Sequence, residues 1–489
     1  MAGFENLEQA IQQPVVTFTP DNVAFSDEDL SDEVALSIVL QDTDTAEKYL
    51  QSKSLLASMD TADDLYRAYV KPRMWPNGKP RSNLSMPVIL ECIEKVMPAL
   101  HLTLWGNGKA PFNLIATGKT KPEAARAKGH VLAWAIRQSG LKEEMRRTLK
   151  TALQYGFTVG NWGWEHNETK RKIYVRENDK VVKKLVTKEI NQPTYKCLDL
   201  RKVLVDPSCD TQDVRKSAKY VILQIAITAN DLDDLRNDPT YKNVPTREEL
   251  AVILANNNQQ TEDSLQASKT NTWRDLQAEK DFTPTTADPL QAPLEILEYH
   301  SDDRVISVLQ RKIVIRNEAN EFGRKTQVSC AFIDVLGSAW GFGIAKLLQG
   351  EQRFQTGTRN AWVDSLALAL NPMFQLLKGI GSGTQQITAS PGKVVTESGE
   401  LKPLVTGSVS AEAINAIGDS DERAHRLVAA NSGGGMPTQA MRTSQGIQAF
   451  TGDVIQRLQY WLEIFIDMVF VPVLEAFIEM LKGRVDGED

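Results

Sequence analysis

The chain has 489 residues, 42% of them hydrophobic and 24% charged, with a formal net charge of −7. That length exceeds one ordinary core and points to about two to four structural modules, while the acidic balance excludes a free, general nucleic-acid binder. It leaves open a protein that surrounds DNA without gripping it, since tight phosphate contacts would oppose sliding.

The first 64 residues carry fourteen acids against only Lys48 and Lys53, with DEDLSDE at 27–33. Such a block reads as a solvated, partly disordered arm, or as a docking arm for a partner or neighbouring subunit. The opening MAGFENLEQA has neither the basic nor the apolar run of a signal peptide. From Met86 the spacing turns helical: Val88, Ile89, Cys92, Ile93 and Val96 share one face, and Gly106 ends the helix. Further helices are expected over 122–136 and 142–154. Strands follow at NWGWEH, RKIYVRE, KVVKKLVTKE, TYKCLDL and KVLVDP, separated by polar turns. Residues 170–202 hold eleven Lys or Arg against four acids, either a solvated sheet face or a patch for phosphate or a partner.

Residues 231–236 and 246–256 read as helix, and NNNQQTEDSLQASKTNTW as an exposed loop. LEILEYHSD, RVISVLQR and KIVIRNE form a second β segment. Next comes the most telling stretch, 341–372. Ile344, Leu347, Leu348, Phe354, Ala361, Trp362, Leu366 and Leu370 recur at helical spacing, and Gln349, Gln352, Arg353, Thr356, Asn360 and Asp364 fill the rest. Unbroken, this helix would run about 45 Å, well beyond the mean globular helix, with a polar face expected along its whole length. A glycine-rich loop at 378–391, a helix over 411–430, the loop NSGGGMPTQAMRTSQG and a long helical stretch over 447–482 with a proline kink at Pro472 complete the chain. Glu463, Asp467, Glu475 and Glu479 form an acidic stripe on that last stretch, turned either to water or to a neighbouring subunit or lumen. They also interrupt its only approach to a membrane span, so none is expected.

Catalytic patterns are missing. ATGKTK at 116–121 ends like a P-loop, but its first glycine would fall on Asn113. GIGSG at 379–383 does not sit in a strand–GxGxxG–helix unit. The chain has no GxSxG and no HExxH. His101, His130, His166, His300 and His425 stand apart from one another, and Asp42/Asp44 and Asp302/Asp303 fall in apparent tails or turns. Cys92, Cys197, Cys209 and Cys330 are scattered without a CxxC pair, as in a reduced compartment. No catalytic residue, metal site or cofactor is expected. A metal-dependent nucleic-acid enzyme with an unrecognised site remains the alternative furthest from this reading.

Several segments, in this order, resemble the portal proteins of tailed bacteriophages. RSNLSMPVILECIEKVMPAL at 81–100 is similar to the family's early Arg-Ser/Thr-Asn segment leading into a helix. QYGFTVGNWGWE at 154–165 is similar to its helix-to-strand turn, and LDLRKVLVDPSC at 198–209 to the strand ending in Asp206-Pro207. WGFGIAKLLQGEQRFQTGTRNAWVDSLALALNP resembles the helix after the narrow end of the portal, through Gly343, Gln352, Asn360 and Asp364. MPTQAMRTSQGIQAFTGDVIQRLQ at 436–459 resembles the loop and helix that line the channel. The resemblance spans roughly 65–482; each motif is loose and the order carries it. Two departures are the acidic arm and the short or missing C-terminal crown.

The resemblance implies an α+β, mainly α-helical portal fold: an acidic arm (1–64), a wing (65–228), a first stem region with a polar linker (229–291) and a clip (292–337). A second stem helix (338–372), a wing return with the glycine-rich loop (373–430), a tunnel loop (431–446) and a long C-terminal helix (447–489) would follow. It implies a homo-oligomeric ring of about twelve copies at one capsid vertex, conducting double-stranded DNA during packaging and ejection. Implied partners are the terminase large subunit, major capsid and scaffolding proteins, and a tail or head-completion adaptor. The location would be the virion, and the host cytoplasm during assembly. Asn431, Met436, Gln439, Arg442 and Gln445 would face the channel from the tunnel loop, with 378–391 as the runner-up loop. Gln349, Gln352, Arg353, Asn360 and Asp364 would sit on the stem helix. Another oligomeric virion or scaffold component without a channel is the nearer alternative.

Overall fold

A computed structural model describes residues 31–76, 78–105, 112, 114–115, 122–177, 180–250, 294–370, 373–377, 394–395, 400–404, 411–428 and 459–484. Helices and strands share these residues in an α+β arrangement.

The acidic arm is helical from Asp32 onward, as α1 (Asp32–Ser52) and α2 (Leu55–Tyr66); residues 1–30 lie outside the described residues. Ala35, Val39, Ala46 and Leu50 form the buried side of α1, and removing that stripe from water orders a segment whose charge alone suggested a tail. Two acids turn inward: Glu47 pairs with Arg311 at 2.7 Å, and Asp42 accepts from the Tyr299 hydroxyl at 3.1 Å.

Helices α3 (Val88–Trp105), α4 (Pro122–Gln138) and α5 (Leu141–Tyr155) fall where periodicity puts them. Helix α5 lies between Gly140 (φ 65°) and Gly156 (φ 93°), left-handed positions that suit a residue without Cβ. Its Leu141, Met145, Leu149 and Leu153 are fully buried, each contributing about 1.5–3 kcal/mol by leaving water. They join Ile89 and Ile93 of α3, and Ile344, Phe465 and Phe477 from the C-terminal half, in the largest core.

Strands β1 (Phe157–Glu177) and β2 (Lys180–Cys197) form one antiparallel ribbon, where the sequence suggested several short strands. Residues 167–170 and 190–193, read as turns, are paired rungs of the ribbon. At about 3.3 Å per residue, β1 alone spans about 70 Å. Strands β3 (Val203–Val205) and β4 (Tyr220–Ile227) precede the short helix α6 (Ala229–Arg236). Thr228 and Asp231 cap that helix reciprocally. Of the expected first stem region, 251–293 lie outside the described residues.

Strands β5 (Leu294–Ser301), β6 (Arg304–Leu309) and β7 (Ile313–Ala319) do not make a sheet of their own. They continue a five-stranded sheet in the order β3-β4-β5-β6-β7. Strand β8 (Gln327–Ala331) pairs with β1 through Phe157–Asn161 only, so the ribbon runs on from residue 162 with β2 as its sole strand neighbour among the described residues. The segment read as a clip is thus joined to the preceding wing segment by strand pairing. Helix α1 and a second core cover one face of the five-stranded sheet, and a smaller cluster with Leu232 and Leu250 covers the other.

After β9 (Ile333–Val335) and β10 (Ser338–Phe342) comes α7 (Ile344–Leu370), 27 residues long. It starts where two backbones cross: a Cβ on Gly156 would overlap the backbone of Phe342 and Gly343, and one on Gly343 would overlap that of Gln154 and Gly156. Strands β11 (Met373–Leu377), β12 (Val394–Val395) and β13 (Glu400–Leu404) make a small mixed sheet, and α8 (Ala411–Leu427) follows. Residues 459–465 are helical, Ile466–Phe470 form a π-turn, and α9 (Val471–Arg484) completes the described chain. The irregularity precedes Pro472, which has no N–H to offer the preceding turn.

Candidate functional site

The long helix expected over 341–372 is present as α7, but three of its polar residues turn inward and several of its apolar ones outward. Gln352, Asn360 and Asp364 are 3%, 1% and 5% exposed, whereas Phe354 and Leu370 are 46% and 73% exposed. Of the other two stem positions, Gln349 is half-buried and Arg353 is exposed. Gln352, Asn360 and Asp364 turn away from water because a strap, residues 81–87, runs along them and needs acceptors for its backbone.

Asp364 accepts from Ser82 N at 3.0 Å, Asn360 Oδ1 from Leu84 N at 2.8 Å and Thr356 Oγ1 from Met86 N at 3.2 Å. Gln352 Oε1 then receives Ile89 N at 2.9 Å. That amide belongs to the first turn of α3, where no intrahelical acceptor exists, so Gln352 acts as a cap supplied from another helix. The spacing follows from geometry. Four helical residues rise about 6.0 Å, and two extended residues about 6.6 Å. A ladder of side chains at every fourth helix position therefore meets every second amide of a strap. Asn360 Nδ2 also donates to Leu84 O at 2.8 Å, and Gln352 Nε2 to Leu65 O at 2.7 Å.

Asp364 closes the ladder with an ion pair. Arg81 donates to it from Nε at 3.0 Å and Nη2 at 2.8 Å, and the Ser82 hydroxyl at 2.7 Å. Burial disfavours its charge, but the Ser82 hydroxyl and amide and the Arg81 guanidinium outweigh that and hold the carboxyl below its ordinary value. Gln355, 0% exposed, donates to Ser420 Oγ at 3.2 Å and ties α7 to α8.

The outward face of α7 carries Leu347, Gly350, Phe354, Gly357 and Ala361, all exposed. Their 3-4-3-4 spacing is that of a helix-packing seam. Lys346 and Arg353 flank it and are exposed. Glu463, Asp467, Glu475 and Glu479 are likewise exposed on the C-terminal helical stretch, and Glu479 alone of the four has an ion-pair partner among the described residues, Arg324. The tunnel-loop positions Asn431, Met436, Gln439, Arg442 and Gln445, and the runner-up loop 378–391, lie outside the described residues.

The fold also gathers residues that the sequence left scattered. Cys92 Sγ lies 3.7 Å from His425 Nδ1, and His425 Nε2 lies 3.5 Å from Asp421, the order of a nucleophile, base and orienting acid. Two facts argue against that chemistry. Cys92 is fully buried, and burial pushes its thiol up to about 12, away from thiolate. The same His425 nitrogen also faces Lys95 Nζ at 3.5 Å, so the Asp421 carboxylate is not its sole polar neighbour. Asp302, read as part of a turn, binds Lys325 Nζ through both oxygens at 2.8 and 2.9 Å, and that lysine is 1% exposed.

A second network sits where α2, α5 and the 198–209 motif meet. Asp63 accepts from Tyr155 Oη at 2.6 Å, Gln154 Nε2 at 2.7 Å and Arg201 Nη2 at 2.6 Å. Burial and Asp63 push the Tyr155 hydroxyl up to about 12, so it serves as a donor. Among the described residues no three His, Cys, Asp or Glu side chains converge to hold a metal ion, and no helix is long and apolar enough to cross a membrane. No family model and no curated protein matches the chain.

Proposed function

We propose that this chain is the subunit of a portal ring of a tailed bacteriophage: about twelve copies closing head to tail around a channel for double-stranded DNA. The ring would sit at one capsid vertex, dock the terminase motor during packaging and hold a tail or head-completion adaptor afterwards. Capsid and scaffolding proteins would contact its outside. No covalent step belongs to this role.

One observation carries the reading. Four of the five segments that resemble the family lie far apart in sequence, yet they are linked to one another in the fold; the fifth, 436–459, lies almost wholly outside the described residues. The 81–100 motif is strapped to the 340–372 motif by bonds that bridge up to 283 residues. The 154–165 motif crosses the 340–372 motif at Gly156 and Gly343, and it reaches the 198–209 motif through Tyr155, Arg201 and their shared Asp63. Loose motifs matched by accident have no reason to form one connected hub. The net acidic balance suits a conduit that must not hold DNA tightly.

The test is electron microscopy of the purified chain with two-dimensional class averages. Rings with an axial opening wide enough for duplex DNA are expected. A compact oligomer without an opening would return the reading to a structural virion component or scaffold.

A further inference from the structure

We infer that the outward seam of α7 is one half of the contact between neighbouring copies of this chain, and that the acidic stripe of 459–484 on the next copy is the other half. The inference rests on the ring reading above and names the surfaces that close it.

The seam is built for a helix. Leu347, Phe354 and Ala361 alternate with Gly350 and Gly357. A Cβ added at either glycine would meet nothing within 4 Å, so both are open to an approaching backbone or a large side chain. Leu347 and Phe354 are 38% and 46% exposed. Among the described residues, nothing covers these two apolar side chains, while the opposite side of the helix is bonded to the strap. Around them Lys346 and Arg353 are exposed, with no ion-pair partner among the described residues, while the nearby Glu351 is taken up by Arg423 and Ser420 of α8.

The C-terminal stretch is complementary. Glu463, Asp467 and Glu475 are exposed and have no ion-pair partner among the described residues. Tyr460 and Val471, on the same side, are 68% and 39% exposed. Lys346 and Arg353 are seven residues apart, about 10.5 Å along an α-helix, and Asp467 and Glu475 are eight apart across the π-turn, at most about 12 Å. Opposite charges at matching separations thus flank apolar side chains on both helices.

The same charges choose the occupant. Pairing α7 with α7 of a second copy would set Lys346 and Arg353 beside their own duplicates, a like-charge contact that opposes an isologous dimer. Pairing α7 with the acidic stripe joins two different surfaces, as a head-to-tail ring requires. Both helices bury their inner sides in the same core, through Ile344 and Leu348 of α7 and through Phe465, Val473 and Phe477. Each copy can therefore offer both surfaces at once.

The experiment uses two charge-reversed full chains, Lys346→Glu with Arg353→Glu, and Asp467→Lys with Glu475→Lys. Their folding is checked by circular dichroism and thermal unfolding, and their assembly by mass photometry and sedimentation velocity. Each variant alone is expected to weaken assembly by about tenfold or more, because every interface then sets like charges together. An equimolar mixture is expected to assemble within about threefold of the unmodified chain, since alternating copies restore opposite charges at every contact. Folded variants that assemble alone as the parent does, a mixture that stays apart, or a parent chain that is monomeric or stops at a closed dimer would each overturn the inference. Micrographs separate the two claims. Channelled rings indifferent to the reversals leave the portal reading standing without this interface. Assemblies that obey the reversals but have no axial opening leave this interface standing without the portal reading.

Discussion

Replacing Asn360 by alanine tests whether the side-chain ladder holds the strap. Asn360 is 1% exposed, accepts from Leu84 N at 2.8 Å and donates to Leu84 O at 2.8 Å and Thr356 O at 2.9 Å. Alanine removes all three bonds and leaves both backbone groups of Leu84 without their partners. A buried group left unpaired costs about 1–3 kcal/mol. The Leu84 side chain is 45% exposed, so water reaches part of this segment and the lower half of the range applies. The expected destabilisation is about 2–4 kcal/mol, within the range of mutations that break a buried network. Urea unfolding gives the global figure. Hydrogen exchange gives the local one: amides in the strap and the first turn of α3 should exchange about 30- to 700-fold faster, at tenfold per 1.4 kcal/mol. Arg359→Ala, one residue from Asn360 but exposed and away from the proposed subunit contact, loses only its cation–π contact with Trp362 and should stay within about 1 kcal/mol of the parent. If Asn360→Ala also stays within that margin and strap exchange is unchanged, the ladder does not hold the strap and the account of α7 fails.

Asp364 adds a pH dependence. Its folded carboxyl lies below the ordinary value, so its contribution is complete above the unfolded pKa of about 3.9 and is lost as pH falls through the folded value. Asp364→Asn should therefore destabilise at neutral pH and cost progressively less in acid; an equal cost at both pH values refutes the electrostatic role. At the backbone crossing, Gly156→Ala should cost more than about 3 kcal/mol or prevent folding, because its Cβ would overlap Gly343 and its φ is 93°. Gly163→Ala, where a Cβ meets nothing, is the matched comparison in the same unfolding assay. The four free cysteines are buried or half-buried, and burial raises each thiol. Ellman's reagent should label them slowly in the native chain and completely in urea; rapid native labelling of Cys92 would reopen the Cys92–His425–Asp421 chemistry.

Helices with one clear face and their own stops were legible in the sequence. Helix α5 has an i,i+4 apolar line between two glycines, and α3 buries the Val88, Ile89, Cys92, Ile93 and Val96 face that its spacing marks; the expected stop at Gly106 lies outside the described residues. Partners were not legible. The apolar pattern identified β5–β7 as strands but could not say that they extend the sheet of β3 and β4, because pairing across the 251–293 segment leaves no local trace. The long ribbon was divided because its charged and polar residues have the composition of turns. The faces of α7 were misread for a specific chemical reason: polar was equated with wet. Exposed helix faces favour lysine and glutamate, whereas the ladder is Gln352, Thr356, Asn360 and Asp364, short groups that accept from amides. That residue choice, at a strict four-residue interval, was the available signal. For the candidate channel residues at 431–446 the sequence remains the whole account.

The strap also acts as a key for the rotation of α7. Successive rungs present an amide oxygen, a hydroxyl, another amide oxygen and a carboxylate. Only the last matches the guanidinium of Arg81. Sliding the helix by one turn would offer Arg81 a neutral group, and twisting it by a third of a turn would carry every rung off the strap. The azimuth of the whole rod is therefore set from behind, with one permitted setting, and the direction in which Leu347, Phe354 and Ala361 point is decided by residues they never touch.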